Sequence, residues 1–306
     1  MHFHMRGKRP VKVYLCIFVC FATKACHIEI VSDKSSNAFI AALKRFFARR
    51  GLSSDLYCDN ATNFVGASRE LNRAFDSPSQ KLIDDECSQR GDRFHFIPPR
   101  SPHFGGLWES AVKVAKQLLV KCTNSTALNY EDLATAITQV EAVMNSRPLH
   151  PMSSDPNDFE ALTPGHFLVG RPLNALVEPV DDALLKLSMS NHWKRILMVH
   201  HMFWHRWSSE YLTLLQKRTK WSTVANNIQL GTLVLIAEDN APPGQWLLGR
   251  VAELHPGADG AVRVVTLRTK TGLFKRNVHK LCPLPTDADE LNVGRSFQGG
   301  ENVDAP

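Results

Sequence analysis

Apolar and polar positions change period several times along the first 150 residues. A continuous apolar run at residues 12–22 precedes an alternating run at 25–31, which predicts two paired strands. Apolar residues then recur at helical spacing, which predicts a helix from Ser35 or Ser36 to Arg50 that ends at Gly51.

The same kind of alternation continues to about residue 147. Short strands are predicted at 56–58 and 94–97, with a polar helical stretch at about 66–90 between them. Two amphipathic helices follow, at about 107–122 and 131–147. Strands that alternate with helices predict an α/β fold class, a mixed sheet flanked by helices.

The second half of the chain has a different organisation. A long helix is predicted at about 191–218, followed by four short strands between glycine-rich turns, typical of a small antiparallel β-barrel. The predicted domains are an α/β core at 1–150, a Pro-rich connector at 151–190, a helical linker at 191–228, a barrel at 229–285 and a disordered acidic tail at 286–306.

Charge is distributed unevenly over these domains. The net charge is +6, from 36 Lys and Arg against 30 Asp and Glu. Residues 1–190 carry 22 basic and 20 acidic side chains, whereas residues 191–285 carry 13 and 5. A basic C-terminal module favours a polyanionic partner, with nucleic acid as the first candidate.

The seven cysteines are scattered and include no Cys-x-x-Cys pair. This pattern is against a disulfide framework and a zinc site, and it is typical of a reducing compartment. Basic residues before the apolar run at 13–22 resemble a signal peptide, but the run is too short to span a bilayer. We favour a buried strand, with a secretory signal as the minor alternative, and expect no membrane association.

Two carboxylates stand out by their positions. Asp59 follows a predicted strand, at the edge where α/β sheets place functional groups, and Glu109 lies in the first turn of a helix. Lys113 and Lys116 share the helix face of Glu109, an arrangement that suits Mg²⁺ beside a phosphate backbone. A plain helix-terminal charge paired with Lys113 explains the same spacing, and on spacing alone it is favoured.

Cations of the predicted barrel are the other candidates. They have few acidic neighbours in the sequence, which favours a phosphate-binding face, although each is an ordinary surface charge by itself. The candidates for DNA contact are Arg250, Arg263, Arg268, Lys275 and Arg276. Trp204 and Trp207 could stack on bases, but their stripe is more simply the core side of a helix.

Three runs carry a family resemblance: residues 15–29 (LCIFVCFATKACHIE), 59–66 (DNATNFVG) and 98–110 (PPRSPHFGGLWES). Together they resemble an integrase catalytic core, more narrowly that of Bel-Pao type LTR retrotransposons. Residues 145–149 and 162–170 are similar to the stretches after that core, and residues 193–285 resemble the family's C-terminal domain.

The resemblance implies an RNase H-like core and Mg²⁺- or Mn²⁺-dependent 3′-processing and strand transfer of DNA. Asp59 and Glu109 match the second Asp and the Glu of the family's Asp-Asp-Glu triad and would hold the metal; Lys113 and Lys116 match lysines at the DNA end. It also implies retrotransposon ends and target DNA as partners, a homo-oligomer and a nuclear location.

The first Asp of that triad has no counterpart here, because no Asp or Glu precedes Glu29, which matches a non-catalytic strand residue. We therefore expect a fragment of a longer polyprotein that lacks the first core strand. The alternative is a catalytically inactive remnant that binds DNA or tethers chromatin. An RNase H-type nuclease is disfavoured by the C-terminal module.

Overall fold

The computed structural model describes most of both predicted domains. The described residues are 1–4, 9–75, 93–96, 117–122, 128–173, 192–216, 228–238 and 241–285. They form two compact units. The first comprises Met1–Met144 and Asp181–Phe203, and the second Asn145–Val180 and Trp204–Pro306.

The first unit begins with an antiparallel hairpin. β1 (His2–Phe3) pairs with β2 (Val11–Lys12), and the chain continues into β3 (Tyr14–Val19), which pairs with β4 (Cys26–Val31). The predicted strand pair and its turn are therefore confirmed. Just after β3, the Cys20 N–H donates to Ala25 O at 2.8 Å. Since hydrogen-bonded pairs alternate along an antiparallel ladder, the even-numbered residues of β3 are the ones that bond to β4.

α1 (Ser36–Arg50) has the ends that its sequence predicts. The hydroxyl of Ser35 accepts a hydrogen bond from the Ala38 N–H at 3.2 Å, which satisfies a free donor of the first turn. Gly51 ends the helix at φ 86°, and its N–H donates to Phe47 O at 2.9 Å.

A second strand pair lies over the same helices. β5 (Asp55–Cys58) runs parallel to β6 (Arg93–Phe96), and α2 (Thr62–Phe75) follows β5. Side chains from β3, β5 and β6 pack against one cluster with α1 and α2, built around Phe39, Leu43 and Ala67. Residues 117–122 are helical, and α3 (Tyr130–Asn145) follows.

The second unit contains the antiparallel sheet. Two short strands, β7 (His150–Pro151) and β8 (Ala161–Leu162), pair before the short helix α4 (Pro164–Val169), and the long helix α5 (His192–Leu215) contributes residues to both units. The sheet has the order β12-β11-β10-β9-β13. Its strands are β9 (Leu233–Ile236), β10 (Leu248–Pro256), β11 (Val262–Thr269), β12 (Gly272–Asn277) and β13 (Leu281–Pro283).

The predicted fold class is confirmed: an α/β unit, a long helix and a small antiparallel sheet. The pattern predicts four strands where the sheet has five, because β13 is only three residues long and ends in a proline. The predicted domain limits stay predictions. The described part of the connector is nonetheless not free-standing, since Arg250 donates to Ser153 O at 2.6 Å within the second unit.

Candidate functional site

Asp59 lies where the sequence predicts, directly after β5, and it is exposed. Its Oδ1 accepts a hydrogen bond from the Ala61 N–H at 3.0 Å, which turns the chain into α2. No described residue bonds to the other carboxylate oxygen. Asp59 therefore has the chemistry and the exposure of one hard-cation ligand.

Glu109, Lys113 and Lys116 lie outside the described residues, so their roles stay predictions. Within the described ranges, no group of three or more His, Cys, Asp or Glu side chains could hold a metal ion.

The structure also brings Asp55 and His95 together on the β5–β6 strands, a polar pair that no sequence motif indicates. His95 Nε2 lies 2.7 Å from Asp55 Oδ1, and the His95 ring stacks on Tyr57 with centroids 4.6 Å apart. The two strands are parallel and far apart in sequence, so spacing along the chain could not reveal this contact. The only sequence signal is that residues 55 and 57 share one face of the strand.

Glu29 is committed to a buried ion cluster. Its carboxylate accepts from Arg45 Nε at 2.5 Å and from Arg49 Nη1 at 2.9 Å. It also faces His27 Nε2 at 3.0 Å, and the other ring nitrogen of His27 faces Glu141. With these partners the Glu29 carboxylate belongs to a buried network of ion pairs.

The cysteine beside Asp59 has no features of a nucleophile. Burial, and then the charge of Asp59, raise the pKa of the Cys58 thiol to about 11. The thiol therefore stays protonated at neutral pH.

Arg250 corrects the sequence analysis, because it is not a surface cation. The residue is only 5 % exposed. Its guanidinium donates to three backbone carbonyls: Nε to Asp158 at 2.7 Å, Nη1 to Gly231 at 3.0 Å and Nη2 to Ser153 at 2.6 Å. Three of its five N–H donors are bonded inside the second unit, and burial keeps the guanidinium from a phosphate in solvent.

Two of the predicted barrel cations are paired with acidic side chains: Arg263 is exposed and Arg276 is half-buried. Arg263 makes a bidentate contact to Asp259 at 2.9 and 2.6 Å, and this pair holds the pKa of the Asp259 carboxyl at about 2. Arg276 donates to Glu238 Oε1 at 2.8 Å, and its guanidinium carbon lies 5.5 Å from the Phe274 ring centroid.

The other two predicted cations are exposed and available. Arg268 donates one N–H to Asn157 Oδ1 at 3.0 Å and keeps its other donors, whereas the Lys275 ammonium has no partner among the described residues. Because Arg268 pairs with Leu273 and Thr266 with Lys275, the two cations are diagonal neighbours on one face of the β11–β12 hairpin.

These two cations belong to a longer basic stretch. Residues 268–280 contain Arg268, Lys270, Lys275, Arg276 and Lys280 and no acidic residue. They cover the end of β11, all of β12 and the following 3₁₀ turn. The hairpin thus concentrates positive charge that the sequence distributes over thirteen consecutive positions.

Trp204 and Trp207 of α5 belong to a packed core instead of a stacking surface. Trp204 and Trp207 are buried, and both pack against Trp246 with ring centroids 4.8 and 5.8 Å apart. The Trp204 indole N–H donates to Ala241 O at 2.8 Å. The interpretation of this stripe as the core side of a helix is confirmed. Over the described residues, no helix is long and apolar enough to span a membrane.

Comparisons with known proteins give one family match and several structural likenesses. A model described as a family of unknown function, DUF5641, matches residues 191–284, which is less than half of the chain. No curated protein sequence matches.

Two solved structures are similar to this chain. The first is the intasome of simian T-cell lymphotropic virus in complex with PP2A regulatory subunit B56 gamma. A chain of it aligns over 94 % of this chain and 77 % of its own length, with 13 % identity and a TM-score of 0.35. The second is the integrase catalytic core domain of HTLV-2 in complex with magnesium, which aligns over 55 % of this chain and 90 % of its own length, with 15 % identity and a TM-score of 0.32. At these TM-scores neither likeness assigns a role to any residue of this chain.

Proposed function

We propose that this chain is an integrase-type protein that binds DNA through the β11–β12 hairpin of its second unit. The observation that carries the proposal is the acid-free basic stretch 268–280, in which Arg268 and Lys275 are exposed on one face. Cations that are not neutralised by acidic neighbours gain most from a phosphate backbone, because binding releases the counterions of the nucleic acid. Contacts of this kind are largely independent of base sequence.

Salt dependence tests this proposal directly. The full chain is titrated against a fluorescent DNA duplex at several salt concentrations, with anisotropy as the readout. We expect the logarithm of the affinity to fall linearly with the logarithm of the salt concentration, by about 0.9 for each phosphate contact. Lys275→Ala and Arg268→Ala should each reduce this slope by about one contact.

The chain offers a matched control on the same sheet. Asp259→Ala combined with Arg263→Ala removes an exposed ion pair without changing the net charge. This double variant should keep the slope of the parent chain. An affinity that does not vary with salt would contradict DNA binding by this surface. An equal loss in the double variant and in Lys275→Ala would show that the hairpin face is not the contact.

The proposal extends to catalysis through the resemblance. Asp59 and Glu109 would hold Mg²⁺ or Mn²⁺, and the exposed carboxylate of Asp59 fits one ligand position. The bound metal would supply Lewis-acid activation of the attacking oxygen and of the leaving oxygen in 3′-processing and strand transfer. Lys113 and Lys116 would contact the DNA end, and retrotransposon ends and target DNA would be the substrates.

A homo-oligomer and a nuclear location belong to the same proposal. The second candidate function is a DNA-binding or chromatin-tethering protein without catalysis. Both candidates predict the same salt-sensitive binding, so a strand-transfer assay separates them.

A further inference from the structure

β12 presents an aromatic ring at the edge of the basic hairpin. Phe274 lies within the acid-free stretch and is 39 % exposed. β12 pairs with β11 on one side, and no other described strand pairs with its outer edge. The ring therefore sits on an open border of the sheet, one residue from Lys275 on the opposite face of the strand.

The surroundings of the ring fix its position and leave part of it accessible. Phe274 is paired with Leu267, which is fully buried, so the base of the side chain is anchored at the margin of the core. Arg276 lies on the same face of β12 and is held by Glu238, with its guanidinium carbon 5.5 Å from the ring centroid. The ring is thus held in place with the Arg276 guanidinium over it, and a base would stack on the part of the ring that stays exposed.

Aromatic rings beside cations are the elements that bind unpaired nucleotides. A nucleobase stacks on an aromatic side chain whatever its identity, while neighbouring cations follow the phosphates. Here Lys275, one residue from Phe274, points to the opposite face of the strand. A single strand lying along the β12 edge would meet the ring with a base and the Lys275 ammonium with a phosphate.

We infer that Phe274 is a stacking position for an unpaired base, so that the hairpin binds single-stranded DNA as well as duplex. This inference rests on the proposed DNA binding by the same hairpin and adds the class of nucleic acid that it recognises. The bases of a duplex are stacked on each other, and only its ends offer a free face. The ring should therefore contribute to single-strand affinity and not to duplex affinity.

Two oligonucleotides and two phenylalanines test the inference. The full chain is titrated with a fluorescent oligo(dT) strand and, separately, with a DNA duplex that is closed by a hairpin loop at one end. We expect Phe274→Ala to weaken oligo(dT) binding by about fivefold or more, because stacking of one base is worth about 1–3 kcal/mol. Duplex affinity should change by less than about twofold. Phe274→Tyr keeps the ring and should keep the affinity of the parent for oligo(dT).

Phe167 provides the matched control, since it is 53 % exposed on α4 and lies outside the basic stretch. Phe167→Ala should leave both affinities unchanged. A second measurement uses oligo(dT) with 5-bromodeoxyuridine, which cross-links under ultraviolet light to a stacked aromatic ring. Mass spectrometry should then find the adduct on the peptide that contains Phe274.

The outcomes separate this inference from the proposed function. Salt-sensitive duplex binding that Lys275→Ala weakens, together with unchanged oligo(dT) affinity in Phe274→Ala, would overturn the stacking position and leave the DNA contact intact. Equal losses on both oligonucleotides, or in Phe167→Ala, would also overturn it. Binding of an acidic peptide that competes with oligo(dT) and is equally strong in Phe274→Ala would assign the cations to a protein partner, and the inference would fail. Absence of any salt-sensitive binding would contradict the proposed function itself.

Discussion

At the scale of single residues, burial gives Arg250 a structural role instead of a role in binding DNA. In the sequence it belongs to a group of basic residues in an acid-poor module, whereas in the structure its guanidinium joins three backbone carbonyls inside the second unit. A fork of rigid donors can bridge segments that are far apart in the chain, here 231, 153 and 158. Its role is to hold the connector segment against the sheet.

Replacement of Arg250 should therefore affect stability and not only charge. We expect Arg250→Lys and Arg250→Ala to lower the free energy of unfolding by about 3 kcal/mol, because buried carbonyls lose their donors. Urea unfolding followed by tryptophan fluorescence measures the effect. Arg268→Ala, at an exposed position on the neighbouring strand, should stay within about 0.5 kcal/mol. An equally stable Arg250→Ala variant would contradict the bridging role.

Glu141 is the residue through which pH should act on the first unit. Burial would raise the pKa of its carboxyl, but the hydrogen bonds from His27 and the Ile28 N–H and the charges of His27 and Arg50 lower it below the usual 4.5. A carboxyl whose pKa is lower in the folded state stabilises the fold above the unfolded pKa. That contribution is lost as the pH falls through the folded pKa.

The difference in unfolding free energy between the parent and Glu141→Gln should therefore be largest at neutral pH. It should shrink below about pH 4.5, where the parent carboxyl also becomes neutral. Urea unfolding at pH 7, 5, 4 and 3 measures this trend. Glu131→Gln, at an exposed position of the same helix, should show no such pH dependence. If the difference in unfolding free energy between the parent and Glu141→Gln is the same at all four pH values, Glu141 does not contribute to the loss of stability in acid.

At the scale of elements, most strands and helices could be predicted from the sequence, and so could an open apolar strand edge along residues 13–22. Capping residues and apolar periodicity place α1 and the β3–β4 pair because both depend on neighbouring residues. Which edge of β3 stays open depends on the pairing. The odd-numbered residues face away from β4, since Val13 N–H donates to Met1 O at 2.9 Å. Beyond Val13, no described strand pairs with the backbone of Leu15, Ile17 and Val19 on that side.

An open, apolar strand edge recruits another chain. We therefore expect the purified chain to form dimers or larger species at micromolar concentration, measured by size-exclusion chromatography with light scattering. Ile17→Pro removes an outward N–H without breaking the β3–β4 bonds and should shift the population towards monomer. Phe18→Pro removes an N–H that bonds to β4 and should unfold the pair. A monodisperse parent monomer would show that the edge is closed.

At the scale of the whole molecule, the proposed function assigns DNA binding to the second unit and the metal-dependent reaction to the first. Metal-dependent strand transfer should require Asp59 and Glu109, since a hard cation needs carboxylate oxygens. We expect Asp59→Asn and Glu109→Gln to abolish any strand transfer seen with Mg²⁺ or Mn²⁺, while duplex affinity stays within about twofold. Gel assays of joined products and anisotropy titrations measure the two properties.

Asp55→Asn is the control on the same strand, because that carboxylate is engaged with His95 at 2.7 Å. It should leave strand transfer unchanged. Strand transfer that survives Asp59→Asn would remove Asp59 from the metal site. A parent chain that binds DNA in a salt-sensitive way but joins none would favour the non-catalytic tether.

The sequence by itself determined the properties that depend on neighbouring residues. It predicts the helix caps, the turn between β3 and β4, the change from an α/β pattern to a small antiparallel sheet, the basic module and the exposed Asp59 after a short strand. Each follows from periodicity, turn chemistry or composition, which act within a few residues. The assignment of Glu109, Lys113 and Lys116 stays with the sequence alone.

Only the tertiary structure decided which charges are available. Arg250, Arg263, Arg268, Lys275 and Arg276 are equivalent in composition, but strand register and the packing of the connector bury the first and pair the second and the last. The same holds for Phe274, whose exposure depends on β12 being an edge strand, and for Glu29, whose partners come from α1 and β4. A side chain's burial and partners are set by residues distant in the chain, and local pattern carries no information about them.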